Sequence, residues 1–423
     1  MTMKRTTFLT AGAAAATAFA APRFTLAAGP AATVKIGYLD SFSGIFSDLG
    51  AVHKLGAQLA LDDANKSGRV KFEFVYGDDT SKPAQAVIEG RRLISQENVD
   101  VLYGGTSSAS GLALGPLALE TGIFNLLLGP QDSSITGAKA TKLTYRFGPN
   151  VRMLLGPVIR RSLALGKKWY FIQADYALGK DAYAQMSEAL ARAGGSEAGH
   201  DVVPLGTSDF SSVLTKVRNS GADVLVLCNS GLDAANTAKQ WASYGLNKTM
   251  KLTGISMEDI YYKALPLDAV AGATFPVLWA PNASPGAQKL AARLKRGISG
   301  PVGGRHYLGY MSAKSLIDRI TSAGTTKADK LMAAFENYAF DGAKESRSTY
   351  HACDHQCAQD VYAGATVSAK AFERSQFMYE IVGTVPAAES DGTCDSPWAK
   401  AATTAMAGQK PAERQNYTPK TWT

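Results

Sequence analysis

The chain has 423 residues, 46% of them apolar, and a formal net charge of +8. That apolar share is ordinary for a globular protein with a real core. Its 44 basic residues are scattered, without a Lys/Arg-rich block or interleaved aromatics, so composition gives a nucleic-acid partner no support.

The first 28 residues predict a signal peptide. Lys4 and Arg5 make a positive start, Phe8 to Ala21 is an alanine-rich apolar run, and Thr25-Leu-Ala-Ala28 offers small residues for cleavage. The run is too short for a comfortable membrane span, and no other stretch reaches about 18 consecutive apolar residues. The second arginine of a twin-arginine signal is missing, which favours the general secretory route, and no cysteine follows for lipid attachment there. A soluble, periplasmic protein is the expectation. Beyond Ala28 the chain is long enough for two domains.

From Val34 onward short β-rich runs alternate with helical patterns. Val34–Leu39 reads as strand, Leu49–Asn65 as helix, Val70–Tyr76 as strand, Ala84–Gln96 as helix, Val99–Tyr103 as strand, Ser110–Glu120 as helix and Ile123–Leu128 as strand. A second series follows. It has helices over Arg152–Leu165, Ala182–Ala193, Phe210–Asn219 and Asp233–Tyr244, with strands over Lys168–Ala174, Ala198–Val203, Ala222–Cys228 and Met250–Ile255. Such alternation predicts an α/β fold of two doubly wound parallel-sheet lobes. Ser284–Ala334 adds helices without strong strands and is expected to return to the first lobe. The chain then crosses between lobes near 146–150, 276–282 and 345–350. The domain reading is 33–147 plus 281–347 for lobe 1, 148–280 plus 348–390 for lobe 2, and a C-terminal tail over 391–423.

In open α/β sheets a ligand sits beyond the carboxyl ends of the strands. The lining is therefore expected from Asp40–Leu49, Tyr76–Thr80, Gly104–Ser110, Gly129–Ser134, Ala174–Gly179, Asn229–Asp233 and Ser256–Ile260. The most telling of these loops runs from Gly104-Gly105 through Thr106, Ser107, Ser108 and Ser110. It places small hydroxyls and bare amides at the start of a helix, where donors lack partners and the dipole is positive. Such a place can seat an anionic group, typically a carboxylate, or can simply be an N-cap.

Five segments carry a resemblance over nearly the whole mature chain: Ser41-Phe-Ser-Gly-Ile-Phe-Ser-Asp-Leu-Gly50, Gly105-Thr-Ser-Ser-Ala-Ser110, Ala174-Asp-Tyr-Ala-Leu-Gly179, Pro204-Leu-Gly-Thr-Ser-Asp-Phe210 and Lys239-Gln-Trp-Ala-Ser-Tyr-Gly245. In order and spacing the chain resembles the extracytoplasmic solute-binding proteins of the branched-chain amino acid (Leu/Ile/Val-binding-like) type, which serve ABC importers. That likeness implies a type I periplasmic binding protein fold: a Venus flytrap that closes on a small solute and hands it to a membrane permease. It also implies a carboxylate held by Ser107, Ser108, Gly129 and Gln131, and an ammonium met by Glu258. Many amino-acid binders carry a threonine near Gln131 and an aromatic near Ser230; neither stands here. Phe46, Tyr176 or Tyr307 are then the candidate walls, and the expected ligand is first an amino acid, with aromatic or other organic acids or amides as the alternative. The full expected contact set is Phe46, Leu49, Thr106, Ser107, Ser108, Gly129, Gln131, Tyr176, Leu178, Ser230, Glu258 and Tyr307. The expected protein is a monomer with no cofactor. A ligand-sensing subunit of a signalling receptor is the alternative with the same fold.

Enzymatic chemistry finds little footing. None of the five histidines sits in the Ser107 loop, and no G-x-S-x-G elbow, Walker A or early G-x-G-x-x-G is present. Asp78-Asp79 at a strand end reads as a strand top capping the next helix. His351-Ala-Cys353-Asp-His355-Gln-Cys357 has alternating donors that invite a metal reading, but an oxidising compartment favours disulfides over thiolate sites. The resemblance implies a bridge from Cys394 to Cys353, with Cys357 as the rival partner. Cys228 ends an apolar strand and reads as a buried thiol.

Overall fold

The computed structural model describes Thr2 and residues 32–422 except Arg69. Apart from Thr2, the expected signal peptide lies outside the described residues. The first lobe runs β1 (Thr33–Asp40), α1 (Ser47–Ser67), β2 (Lys71–Asp78), α2 (Pro83–Ser95), β3 (Val101–Gly104), α3 (Ser108–Thr121), β4 (Asn125–Leu127) and β5 (Thr144–Arg146). Its five strands are parallel in the order β2-β1-β3-β4-β5, with Tyr38 level with Tyr76 and Tyr103 across the centre. Local chemistry sets the helix ends. Pro83 opens α2 where its missing N–H costs nothing. Ser107 caps α3, and Gly122 stops it in the left-handed region at φ 69°.

The second lobe follows with α4 (Val151–Leu165), β6 (Lys168–Ala174), α5 (Ala177–Arg192), β7 (Ser196–Val203), α6 (Ser211–Asn219), β8 (Val224–Cys228), α7 (Gly231–Ser243), β9 (Lys251–Gly254), α8 (Leu267–Val270) and β10 (Thr274–Val277). Asn150 caps α4, its side chain accepting from the Met153 amide at 2.9 Å. Helix α5 starts five residues before the periodicity suggested, directly after Tyr176, because Ala177-Leu-Gly-Lys already turns as helix while showing no apolar repeat.

The chain then adds α9 (Pro285–Lys295), α10 (Gly304–Ala323) and α11 (Ala328–Phe335), followed by β11 (Ala339–Phe340), β12 (Ser348–Tyr350), β13 (Cys357–Ala358), β14 (Val361–Thr366), α12 (Ala369–Ser375), β15 (Tyr379–Val385), α13 (Ala387–Ser390) and α14 (Pro397–Met406). Helices α9 to α11 bury their apolar residues with those of α1 on one face of the first sheet, while α2 and α3 cover the other. The second sheet has seven strands, β15-β14-β10-β9-β8-β6-β7. Its β14 and β15 are antiparallel additions that the alternation did not announce. Val361-Tyr-Ala-Gly-Ala-Thr366 is rich in small residues of weak strand propensity, so its pairing comes from the exposed edge of β10 rather than from its own pattern.

Strands β11, β12 and β13 form a small antiparallel sheet, and Tyr350 and Cys357 belong to the first lobe's core. The third crossing therefore lies at Gln359–Asp360, later than the expected 345–350. The crossings are tied together. Gln356 Nε2 donates to the Gly148 carbonyl at 3.0 Å, Gln359 Nε2 to Phe147 at 2.6 Å, and Lys344 Nζ to Leu278 at 2.7 Å and Asp360 at 2.6 Å. A Cys353–Cys394 disulfide anchors the start of the tail, and Cys228 and Cys357 are buried free thiols. The tail then runs over the first lobe, where Lys420 Nζ meets Asp100 at 2.6 Å. No helix among the described residues is long and apolar enough to cross a membrane.

Candidate functional site

Carboxyl ends of both sheets face one small cavity. It is lined by Phe46, Leu49, Thr106, Ser108, Gly129 and Gln131 of the first lobe, by Tyr176, Leu178 and Ser230 of the second, and by Arg305. All but the last are residues singled out from the sequence. The cavity holds ≈ 10 Å³, room for about one water. Larger hollows lie under the C-terminal tail (≈ 390 Å³) and between residues 282–283, Glu345 and the 367–381 segment (≈ 530 Å³). The convergence of polar groups, not size, marks the site.

The chain reaches this place by backbone devices. Gly104 and Gly105 take φ of 129° and 90° as β3 ends, and a Cβ on Gly104 would strike the Leu39 backbone. Only glycine permits that turn, which swings Thr106 to Ser108 toward the cleft. Ser107 then does what a helix cap does, accepting from the Ser110 amide at 3.5 Å. Ser108 accepts from the amides of Gln131 and Asp132, each at 3.1 Å. Its own hydroxyl proton stays free to point at a guest. The hydroxyl loop thus divides its labour: Ser107 serves the helix and Ser108 the cavity.

Across the cleft, Tyr176 and Ser230 stand at the N-terminal ends of α5 and α7 and join their hydroxyls at 2.8 Å. The Phe46 and Tyr176 rings meet from opposite lobes with centroids 6.0 Å apart and planes tilted by 42°. Gln131 Oε1 is buried without a partner.

Arg305 was not visible to the sequence reading. It is the second residue of α10, only 3% exposed, and reaches from the first lobe to Glu258 beyond β9 of the second. Nε donates to Oε2 at 2.9 Å and Nη2 to Oε1, a bidentate pair. Ser256 adds a hydroxyl donor to Glu258 at 2.7 Å. Burial alone would raise the Glu258 carboxyl, but the guanidinium beside it outweighs burial and holds it below the usual carboxylate range. The one available signal was positional: a cation in the first turn of a helix opposes the helix dipole and needs a reason.

Besides Ser107, two expected contacts do not line the cavity. Tyr307 does not reach the cavity. Fully buried in the first lobe, it stacks on Trp279 at 5.4 Å and donates to the Gly342 carbonyl at 3.0 Å, since its place on α10 turns it into the core. Glu258 borders an adjacent small hollow and is engaged by Arg305 rather than free for a guest. The metal pattern also resolves locally. His351, Cys353 and Asp354 offer donor atoms within 4.8 Å of one another, but the Cys353 sulfur is bonded to Cys394. His355 Nδ1 meets the Thr144 carbonyl at 3.1 Å.

The sequence reading also passed over a buried trio behind the cavity. Thr106 Oγ1 donates to Asp40 Oδ1 at 2.6 Å, and His53 Nδ1 lies 3.2 Å from both Asp40 Oδ2 and Thr106 Oγ1.

Known proteins share this architecture. A "Leu/Ile/Val-binding protein homolog 6" of Brucella melitensis biotype 1 is 29% identical over 241 residues, 56% of this chain and 61% of that protein. The match thus spans about three fifths of the relative's length. A periplasmic binding protein from Burkholderia mallei superposes with a TM-score of 0.80 at 26% identity, covering 86% of this chain and 98% of that one. A solute-binding protein of an ABC transporter from Rhodopseudomonas palustris HaA2, solved with p-hydroxybenzoic acid, shares the fold at a TM-score of 0.75 and 22% identity, covering 86% and 100%. The sequence model of the periplasmic binding protein family matches residues 33–371. With two parallel-sheet lobes closing on a shared cavity, this chain belongs to the periplasmic binding protein family.

Proposed function

We propose that the chain is the extracytoplasmic solute-binding component of an ABC importer, and that it captures a small organic carboxylate lacking an ammonium group. It acts as a periplasmic monomer, hands the ligand to a membrane permease and performs no chemistry on it. One lobe comprises residues 33–147 and 281–358, the other 148–280 and 361–390, linked through 359–360, with 391–423 a tail.

The observation that carries this reading is the Arg305–Glu258 pair. Among the residues lining the cavity, Arg305 is the one charged side chain. A guest's ammonium at Glu258 would have to displace a guanidinium already bound through two donors. A guest's carboxylate instead finds a cation, the Ser108 hydroxyl and the positive end of α3. Phe46, Leu49, Tyr176 and Leu178 supply apolar walls. Sandwiching a planar body between the two rings would require their centroids to part from 6.0 Å to about 7 Å, two contact distances of ~3.5 Å, and their planes to turn from a 42° tilt toward parallel.

Calorimetry and thermal shift with benzoate, 4-hydroxybenzoate, branched aliphatic 2-oxo acids and the matching amino acids test this. Carboxylates without an ammonium should bind near 1 μM, roughly −8 kcal/mol. They should stabilise the fold by about 2.7 kcal/mol at a hundredfold excess over Kd. Binding of leucine or phenylalanine with no response to any simple carboxylate overturns the reading.

A further inference from the structure

We propose that binding of a carboxylate in this cleft is coupled to uptake of a proton from solvent, and that the imidazole of His53 receives it. This rests on the carboxylate reading above. His53 is fully buried in α1, and its Nε2 is a buried atom with no hydrogen-bond partner. A buried polar atom without a partner is rare enough to require a role. Its place supplies one. A Cβ built on Gly129, a cavity-lining residue, would lie 3.3 Å from Cε1 of His53 and 3.6 Å from Nη1 of Arg305. The ring thus borders both the seat and the guanidinium, and Thr106 links it to the cavity wall.

The charges around it do not favour an anion as they stand. Asp40 accepts from the Ser41 amide at 2.8 Å and from Thr106, and its Oδ2 lies 3.2 Å from His53 Nδ1. Facing His53 are Asp40 from the end of β1, Glu258 from beyond β9, and Arg305 and His306 from α10, with Asp79 behind Asp40. His306 contributes no cation: burial pushes it down to about 4, and its Nδ1 accepts from the Gly303 amide at 3.2 Å. Asp40 and Glu258 therefore confront one guanidinium before any ligand arrives, with Asp259 also beside it and pushed up to about 6 by burial. A guest carboxylate adds a further anion in a site sealed from water, which is costly unless a cation joins it. Burial keeps the His53 ring on its neutral side in the empty site, against the pull of Asp40. Its Nδ1–H then points to Asp40 and Nε2 is a bare acceptor. Protonation balances Asp40, turns Nε2 into a donor and frees Arg305 to be shared between Glu258 and the guest. No bond other than N–H is made, and the proton comes from solvent.

The sign follows from linkage. The ligand raises the His53 pKa, so binding is tightest below the free-state value, weakens as pH rises from there to the bound-state value, and levels off above it. A carboxylic acid titrates near about 4, so above pH ~6 the ligand's own protonation plays no part.

The experiment is calorimetry of the full mature chain with benzoate, and with 4-methyl-2-oxopentanoate as the aliphatic probe, from pH 6 to 8.5 in buffers of different ionisation enthalpy. The expected result is uptake of half to one proton per ligand near pH 7.5, with Kd rising up to tenfold per pH unit. Ring nitrogen shifts of His53 should move to the doubly protonated pattern on ligand addition. His53→Gln should bind more weakly and abolish the uptake. Zero protons with a flat Kd overturns the proposal, as does uptake that persists in His53→Gln and places the proton on Asp259 or Asp79. The ring shifts decide the matter in the native chain if the variant does not fold. If neither probe binds at any pH, the carboxylate reading itself fails and takes this inference with it.

Discussion

Replacing Arg305 with methionine should open the protein rather than unfold it. Arg305 and Glu258 are 3% and 6% exposed and hold each other through two hydrogen bonds. Removing one partner of such a pair leaves a buried charge uncompensated, at about 3–5 kcal/mol. The two groups sit on opposite lobes, so the orphaned Glu258 has a cheaper escape than global unfolding: the cleft parts and water reaches it. At 3 kcal/mol the closed-to-open ratio falls by about 150-fold, enough to turn a closed population into an open one. Small-angle scattering without ligand should therefore give a larger radius of gyration for Arg305→Met and for Glu258→Met. The double variant, which replaces the pair with apolar groups of similar length, should return to the compact value. The same Arg305→Met chain should bind benzoate at least tenfold more weakly, the loss of a charge-assisted hydrogen bond worth about 1.5–3 kcal/mol. Singles that match the native radius and melting temperature, with coupling in the double-mutant cycle below about 0.5 kcal/mol, would refute the latch.

Neighbouring serines should separate cleanly. Ser108→Ala strands two buried amides and removes a donor to the ligand, costing about 1–3 kcal/mol of stability and about tenfold in affinity, whereas Ser107→Ala removes only a helix cap, about 1 kcal/mol, and leaves Kd within twofold; calorimetry and denaturant melts on both check it. Closing a loop of sequence separation 41, the Cys353–Cys394 bridge should contribute about 4 kcal/mol by chain entropy, seen as a fall in midpoint on reduction; mass spectrometry should count two thiols in the unfolded, unreduced chain and four after reduction. Burial pushes Lys344 down to about 7, far below the value of a solvated lysine. Its contribution is therefore full above the unfolded pKa and is lost as pH falls toward 7, so native stability should rise from pH 7 to 9 relative to Lys344→Met by up to about 1.4 kcal/mol per pH unit. Parallel pH profiles for the two chains would show that the lysine is not held in a dry site.

Continuous apolar runs such as Val224 to Cys228 and the glycine turn before Thr106 made most of both parallel sheets legible, because buried parallel strands are written that way. Strand ends then located the cavity lining without any contact information, since the crevice beyond the carboxyl ends is a property of the topology. What escaped notice depended on pairing across the fold. Strand β14 is held by the edge of β10, not by its own propensity. Tyr307 and Arg305 lie two positions apart on α10, yet helix rotation sends one to the core and the other to the cleft, and a helix with buried residues on most sides gives no stripe from which to read that difference. His53 looked like any polar residue on a helix because its partners, Asp40 and Thr106, come from two different strand ends.

Under the proposed reading, Glu258 would occupy a family position without performing the family's task, because Arg305 already engages it. Its backbone stands where an ammonium-binding acid is expected, but selectivity depends on what competes for the carboxylate. Arg305 is tethered to the same molecule, and even a short flexible tether gives an effective concentration in the millimolar range. A helix aimed across the cleft by its packing on α1 holds it there at least as firmly. A guest ammonium at micromolar concentration must defeat that guanidinium and leave it without its partner in a buried site. A guest carboxylate instead adds a second acceptor to a donor fork that has five N–H groups. Discrimination between amino acids and simple acids is then set less by the hydroxyl loop, which grips either ligand by its anionic end, than by the identity of the residue at 305.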